Sequence, residues 1–206
     1  MAKRHYEINR AVALPQGLTP QQIVRAVQYV ETQAGEWLDL WYEQENLFSA
    51  VIGVLGARAL ETYGPFQRNP HKYEAQTRFP DLVRRGAKSG AVGQYRPEDC
   101  LESKGSKRVW ALQAHYNHAG WYVVWRYMVD PTRSLGRRGV VICRVDVKFL
   151  EESDWKYRGS SAGEGRGGRT HTFDVINPAA AFHAGWVYRR RGIVVRGGRF
   201  VVNNDS

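Results

Sequence analysis

The chain has 206 residues, of which 43% are apolar, 12% aromatic and 24% charged, a composition that excludes a disordered chain, a collagen-like repeat and a small disulfide scaffold. Thirty Lys and Arg against twenty Asp and Glu leave a formal charge of +10, and a protein this basic most often meets a polyanion, nucleic acid being the commonest. The excess is concentrated: residues 1–50 balance to −2, residues 51–150 to +9 and residues 151–206 to +3, so the basic surface is expected on the folded core and not on a tail.

The basic start, Met1 to His5, is followed by no apolar run, so no secretory signal is expected. The longest uncharged apolar stretch, residues 47–57, is too short to span a bilayer. Cys100 and Cys143 stand far apart and the six His offer no zinc-site spacing, which points to reduced cysteines in a cytoplasmic protein.

Thr19-Pro20-Gln21-Gln22 opens a helix with an N-cap, a proline at the first helical position and a capping-box glutamine. Ile23, Val27, Val30, Ala34, Trp37, Leu38 and Trp41 then recur at helical spacing, across a weak point at Gly35. A second helix is predicted over residues 45–63, with Phe48, Val51, Ile52, Leu55, Ala59 and Leu60 inward and Gly64-Pro65 as the stop. Gly53 and Gly56 on it permit close approach of a neighbour.

From Phe66 the helical period gives way to short apolar runs. Residues 121–129 and 140–145 read as strands, and residues 193–195 and 200–202 flank Gly197-Gly198 as a terminal hairpin. Residues 159–168 form a flexible glycine-rich loop without the Gly-Lys-Ser/Thr ending of a nucleotide-binding P-loop. Helices followed by strands is an α+β order, with a mixed sheet as the expected result. The chain is divided into an N-terminal helical element (1–44), a core (45–150) and a C-terminal part (151–206) of a single domain.

Two places pair acids with a lysine. Pro80-Asp81 is followed by Glu102-Ser103-Lys104, and on a strand Glu102 and Lys104 project to one face, where an aspartate from an adjacent strand or turn could join them. Adjacent carboxylates repel when both are ionised, and a divalent cation such as Mg²⁺ removes that cost. Lys104 beside the pair could orient the attacking water and offset charge on the transition state, the minimum equipment for metal-assisted phosphodiester hydrolysis. The rival set is Asp130 with Asp146 and Lys148, whose simpler reading is a solvated strand face.

Pro80-Asp81 and Glu102-Ser103-Lys104, with apolar Leu101 before the second element, resemble the signature of the PD-(D/E)xK nuclease superfamily, which includes most type II restriction endonucleases, Holliday-junction resolvases and several repair nucleases. The resemblance spans residues 45–150. It implies a restriction-endonuclease-like α/β core, a mixed central sheet flanked by helices, with Asp81 and Glu102 as Mg²⁺ ligands and Lys104 as a catalytic residue. It further implies a site role for Glu45, on the preceding helix, and for Gln113, which recurs as a site residue in some relatives. His115 and His118 are read as structural or surface-polar, since no third metal ligand accompanies them.

Lys107, Arg108, Arg126, Arg133, Arg137 and Arg138 are expected on backbone phosphates, which give affinity and salt dependence without sequence choice. Arg166 and Arg169 in the glycine-rich loop are the candidates for groove contacts. The Trp155-Lys156-Tyr157-Arg158 run fits either a nucleic-acid surface or a strand with cations snorkelling over an aromatic core. The expected function is thus a Mg²⁺-dependent endodeoxyribonuclease acting on double-stranded DNA, of type II restriction kind and homodimeric if it cuts a palindrome. The alternatives are a structure-specific repair or recombination nuclease, a non-catalytic DNA-binding protein, or a structural protein of a phage or mobile element.

Overall fold

Three helices dominate the first third of the computed structural model, which describes residues 5–73, 79–90, 94–130, 132–133, 135, 138–161 and 170–203. A short strand, β1 (Tyr6–Ile8), leads into α1 (Pro20–Gly35). Thr19 caps it as its sequence dictates: Gln22 N donates to Thr19 Oγ1 at 3.3 Å, and Thr19 N donates to Gln22 Oε1 at 2.7 Å. Ile23, Val27, Val30 and Ala34 form its buried stripe. The predicted continuation to Trp41 breaks after Gly35, where a Cβ would meet the Arg138 carbonyl oxygen at 2.5 Å. The chain restarts as α2 (Leu38–Glu43), and Trp37 is left 56% exposed instead of packed.

The next helix, α3 (Glu45–Tyr63), has the bounds the sequence predicts and stops at Gly64, whose N–H donates to Leu60 O at 2.8 Å. Its glycines are used for close approach. A Cβ on Gly56 would fall 1.9 Å from Trp125 Nε1, and one on Gly53 3.0 Å from Ser103 O.

The strands follow: β2 (Phe66–Arg68), β3 (Leu82–Arg84), β4 (Cys100–Ser106), β5 (Gln113–Ala114), β6 (Gly120–Val129), β7 (Val140–Leu150), β8 (Trp155–Ser161) and β9 (Thr170–Val175). Then come α4 (Pro178–His183), β10 (Trp186–Arg190) and the hairpin β11 (Ile193–Arg196) and β12 (Arg199–Val202). β7 runs five residues past its predicted end. Residues 159–161 of the predicted loop belong to β8, and the rest of that loop lies outside the described residues.

β1, β10, β7, β6, β4, β3 and β2 form, in that order, a seven-stranded mixed sheet in which β4 and β6 are parallel and the other neighbours antiparallel. The mixed α/β class expected from the sequence is present, and the sheet draws strands from all three predicted parts of the chain. One face carries Leu101, Val123, Trp125, Tyr127, Val145 and Val147 against α1 and α3. On the opposite face Tyr122, Val124 and Leu150 pack with Leu112, Trp155, Val175 and Phe182 from β8, β9, α4 and the chain entering β5. No helix of the described residues is long and apolar enough to cross a membrane.

Candidate active site

Antiparallel pairing of β3 with β4 sets Leu82 against Leu101, so Asp81 arrives beside Glu102 from a position 21 residues earlier in the chain. Alternation along β4 does the rest. Leu101, Ser103 and Gly105 turn toward α3, while Glu102 and Lys104 turn to the opposite face, level with Tyr122 and Val124 of β6.

The two carboxylates are locked together through backbone. Asp81 N donates to Glu102 Oε2 at 3.0 Å, and Ser103 N donates to Asp81 Oδ2 at 3.0 Å. Each keeps one oxygen for a cation: Glu102 Oε1 lies 2.7 Å from Lys104 Nζ, and Asp81 Oδ1 pairs with Lys72 Nζ. These four side chains line a cavity of about 280 Å³, whose walls include Phe79, His115, His118 and Tyr122.

Two buried polar residues hold this arrangement from behind. Asn69 is fully buried; its Nδ2 donates to Pro80 O at 3.1 Å, its Oδ1 accepts from His71 N at 3.0 Å, and its N–H donates to Asp81 O at 3.1 Å. It therefore ties the 3₁₀ turn Pro70–Tyr73, which carries Lys72, to the backbone of Pro80 and Asp81. Ser103 Oγ donates to Gly53 O at 2.7 Å and accepts from Trp125 Nε1 at 2.9 Å, fixing the peptide that holds Asp81 against α3.

Burial pushes the Lys72 ammonium below the ordinary lysine range, against the opposing pull of Glu102. Burial likewise lowers His118, which stacks on Phe79 with ring centres 4.7 Å apart, so its imidazole is neutral at pH 7 although Glu102 and Glu152 favour its charged form. Burial and the nearby Glu102 charge raise Tyr122, whose hydroxyl donates to His118 O at 3.0 Å. The thiol of Cys100 is pushed up to about 12 by burial and neighbouring carboxylates, which removes it as a nucleophile.

Glu45 and Gln113 lie outside this cavity, correcting the roles expected for them. Glu45 starts α3 on the other side of the sheet and pairs with Lys107 at 2.6 Å. Gln113 stands opposite Asp174 on β9, while its neighbour Ala114 turns into the cavity wall. A two-residue strand sends adjacent side chains to opposite faces, so only one of them could reach the site.

The rival set is not assembled. Asp146 is fully buried and accepts from Arg126 Nε at 2.8 Å and from Arg144 Nε and Nη2 at 2.7 and 3.0 Å. Asp130 closes a turn, accepting from Thr132 Oγ1 and Leu135 N at 2.8 Å each. Asp146 stands opposite Val124, six residues along β6 from Asp130, which separates the two acids by roughly 20 Å. Lys148 is exposed on β7.

The basic residues divide by burial. Arg126 is 0% exposed, so the phosphate contact expected of it is corrected to an internal role: besides Asp146 it binds the carbonyls of Arg108, Trp110 and Ala111 at 3.1, 2.9 and 2.5 Å. Burial alone would depress its guanidinium, and Asp146 opposes that. Arg108 is exposed just beyond the end of β4, beside the Glu45-bound Lys107. Arg133 and Arg138 are exposed in the β6–β7 connection, at the end of β6 away from Tyr122, where Arg138 Nη1 donates to Gln28 O at 2.8 Å. Arg137, Arg166 and Arg169 lie outside the described residues.

Sequence reasoning missed Lys72, which belongs to no periodic pattern, and passed over His115 and His118, which line the cavity. Among the described residues no group of three or more His, Cys, Asp and Glu side chains converges as a metal cluster. The Asp81–Glu102 arrangement is a two-carboxylate set, the ligation Mg²⁺ commonly takes when substrate oxygens and water complete its shell. No family model, curated protein or solved structure matches this chain.

Proposed function

We propose that this chain is a Mg²⁺-dependent endodeoxyribonuclease of the PD-(D/E)xK kind, hydrolysing phosphodiester bonds of duplex DNA as type II restriction enzymes do. One observation carries the reading: Asp81, just ahead of β3, meets Glu102 and Lys104 of β4 in one cavity, where each carboxylate turns one oxygen to a lysine ammonium and, among the described residues, to no other group. The donor set fits a hard divalent cation, since both atoms offered are carboxylate oxygens and lysine nitrogens already stand in for positive charge against them. Asp81 Oδ1 and Glu102 Oε1 would hold Mg²⁺, which when bound supplies Lewis-acid charge against a phosphate oxygen.

The chain's own residues do the rest. Lys104 orients the attacking water from a position fixed by Glu102 and offsets negative charge on the phosphorus oxygens as it builds. Lys72, which pairs with Asp81 on the cavity wall, would offer a second ammonium for the same charge. Neutral His118, held against Phe79, can hydrogen-bond the departing oxygen without adding charge to the carboxylate pair. On a palindromic duplex, cutting both strands calls for two copies of the site related by the two-fold axis of the DNA.

A non-catalytic DNA-binding protein is the second reading, favoured by the fact that each carboxylate is already matched by a lysine. A plasmid-relaxation assay separates the two. Wild type relaxes supercoiled DNA with Mg²⁺ and not with EDTA, whereas Asp81→Asn, Glu102→Gln and Lys104→Ala bind DNA and leave it intact. Cleavage surviving in all three folded variants removes the assignment.

A further inference from the structure

A larger cavity, about 620 Å³, opens on the same face of the sheet as the carboxylates, beyond β6. Strand register establishes the shared face: Lys104 is level with Val124, Val124 with Asp146, and Asp146 with Trp186. Trp186 thus lies three strands from Lys104, a lateral separation of about 14 Å. Between them the segment 108–111 crosses the sheet, its carbonyls tied down by Arg126 and Arg144, and carries exposed Arg108.

The lining is flat and cationic. The Arg144 guanidinium sits 4.1 Å from the ring centre of Trp110 and 5.8 Å from that of Phe200, and Arg189 lies 4.7 Å over Trp186. Among the described residues, four arginines and one carboxylate, Glu7, border the space. Glu7 holds Arg189 Nη2 at 2.5 Å and Arg191 Nε at 3.5 Å, and the Arg189 hydrogen bond keeps its carboxyl below the ordinary range, so it stays ionised as a strut for both.

We infer that this cavity binds one unstacked nucleotide, with the base against the aromatic wall and the phosphate on Arg189 and Arg191. An apolar ligand would strip water from several guanidinium groups and return nothing to them. A bare inorganic anion would use the arginines and leave the rings idle. A base joined to a phosphate satisfies both, through stacking and charge-assisted hydrogen bonds. The volume falls within the roughly 300–1,000 Å³ of ligand pockets. The inference rests on the nuclease reading only for the source of the nucleotide: about 14 Å is some four steps of a strand rising 3.4 Å per base, so a strand could occupy both cavities.

The full-length protein in EDTA, where no cutting occurs, tests this with two probes: a short labelled single-stranded oligonucleotide and free deoxyadenosine 5′-monophosphate. Trp186→Ala and, as a surface change that leaves packing intact, Arg191→Ala each weaken oligonucleotide binding about tenfold, while Arg25→Ala, exposed on α1 across the sheet, does not. Mononucleotide binding that is lost in Trp186→Ala supports the same pocket chemistry with a free nucleotide as source. Unchanged affinity for both probes in both cavity variants overturns the inference. Loss of binding in those variants from a protein that never cleaves DNA leaves the pocket standing and sinks only the nuclease reading.

Discussion

Replacing Asp146 with Asn separates structural from catalytic carboxylates in this chain. Asp146 and Arg126 are both 0% exposed, and Asp146 accepts three hydrogen bonds at 2.7–3.0 Å from Arg126 and Arg144. Asn keeps one acceptor oxygen but turns an amide toward guanidinium donors and leaves two arginines without a counter-charge. Removing one partner of a buried ion pair costs about 3–5 kcal/mol. With a urea slope of about 2.5 kcal/mol per molar, the midpoint falls by roughly 1–2 M. At about 2–4 °C per kcal/mol for a chain of this size, Tm falls by about 6–20 °C. Circular dichroism in urea and on heating reads both, and plasmid relaxation well below the lowered Tm shows cutting retained by the folded fraction. An Asp146→Asn protein with wild-type stability and no cleavage would refute the reasoning and return Asp146 to the chemistry.

Three further outcomes are expected. Asn69→Ala removes a donor from Pro80 O and an acceptor from His71 N in a fully buried place. It lowers stability by about 1–3 kcal/mol and raises the Mg²⁺ concentration needed for half-maximal cleavage, because Asp81 loses its backing; equilibrium unfolding and a Mg²⁺ titration read the two effects. Burial would raise the Asp99 carboxyl, but hydrogen bonds from Arg84 at 2.6 Å and Arg96 at 3.1 Å outweigh it and hold it below its ordinary 3.8. Its stabilising contribution is therefore complete above pH 3.8 and lost as pH falls through the lowered folded value, so Asp99→Asn flattens the acid limb of a stability–pH profile. Arg108→Ala lowers the slope of log affinity against log salt for DNA by about one, measured by anisotropy, with no change in base preference.

What the sequence disclosed follows the range of the forces involved. α3 was readable to the residue because a helical apolar stripe and the Gly64-Pro65 stop are local signals. The Pro80-Asp81 and Glu102-x-Lys104 elements were readable because alternation along one strand already puts Glu102 and Lys104 on a common face. Lys72 was not, since its place beside Asp81 depends on the β2–β3 pairing and on Asn69 bridging two segments. Arg126 was misread for a related reason. A cation on a strand looks solvated until cross-strand register sets it beside Arg144 and diagonally to Asp146, under the 108–111 segment. The Arg138 carbonyl that packs against Gly35 and leaves no room for a Cβ comes from over a hundred residues away, a contact that no local pattern encodes.

Titration of the intact protein with Mn²⁺, followed by electron paramagnetic resonance of the free ion, tests the metal site most directly. Wild type takes up Mn²⁺ in competition with Mg²⁺, and the Asp81→Asn, Glu102→Gln double variant, folded by circular dichroism, does not. Equal uptake by both proteins would contradict the account.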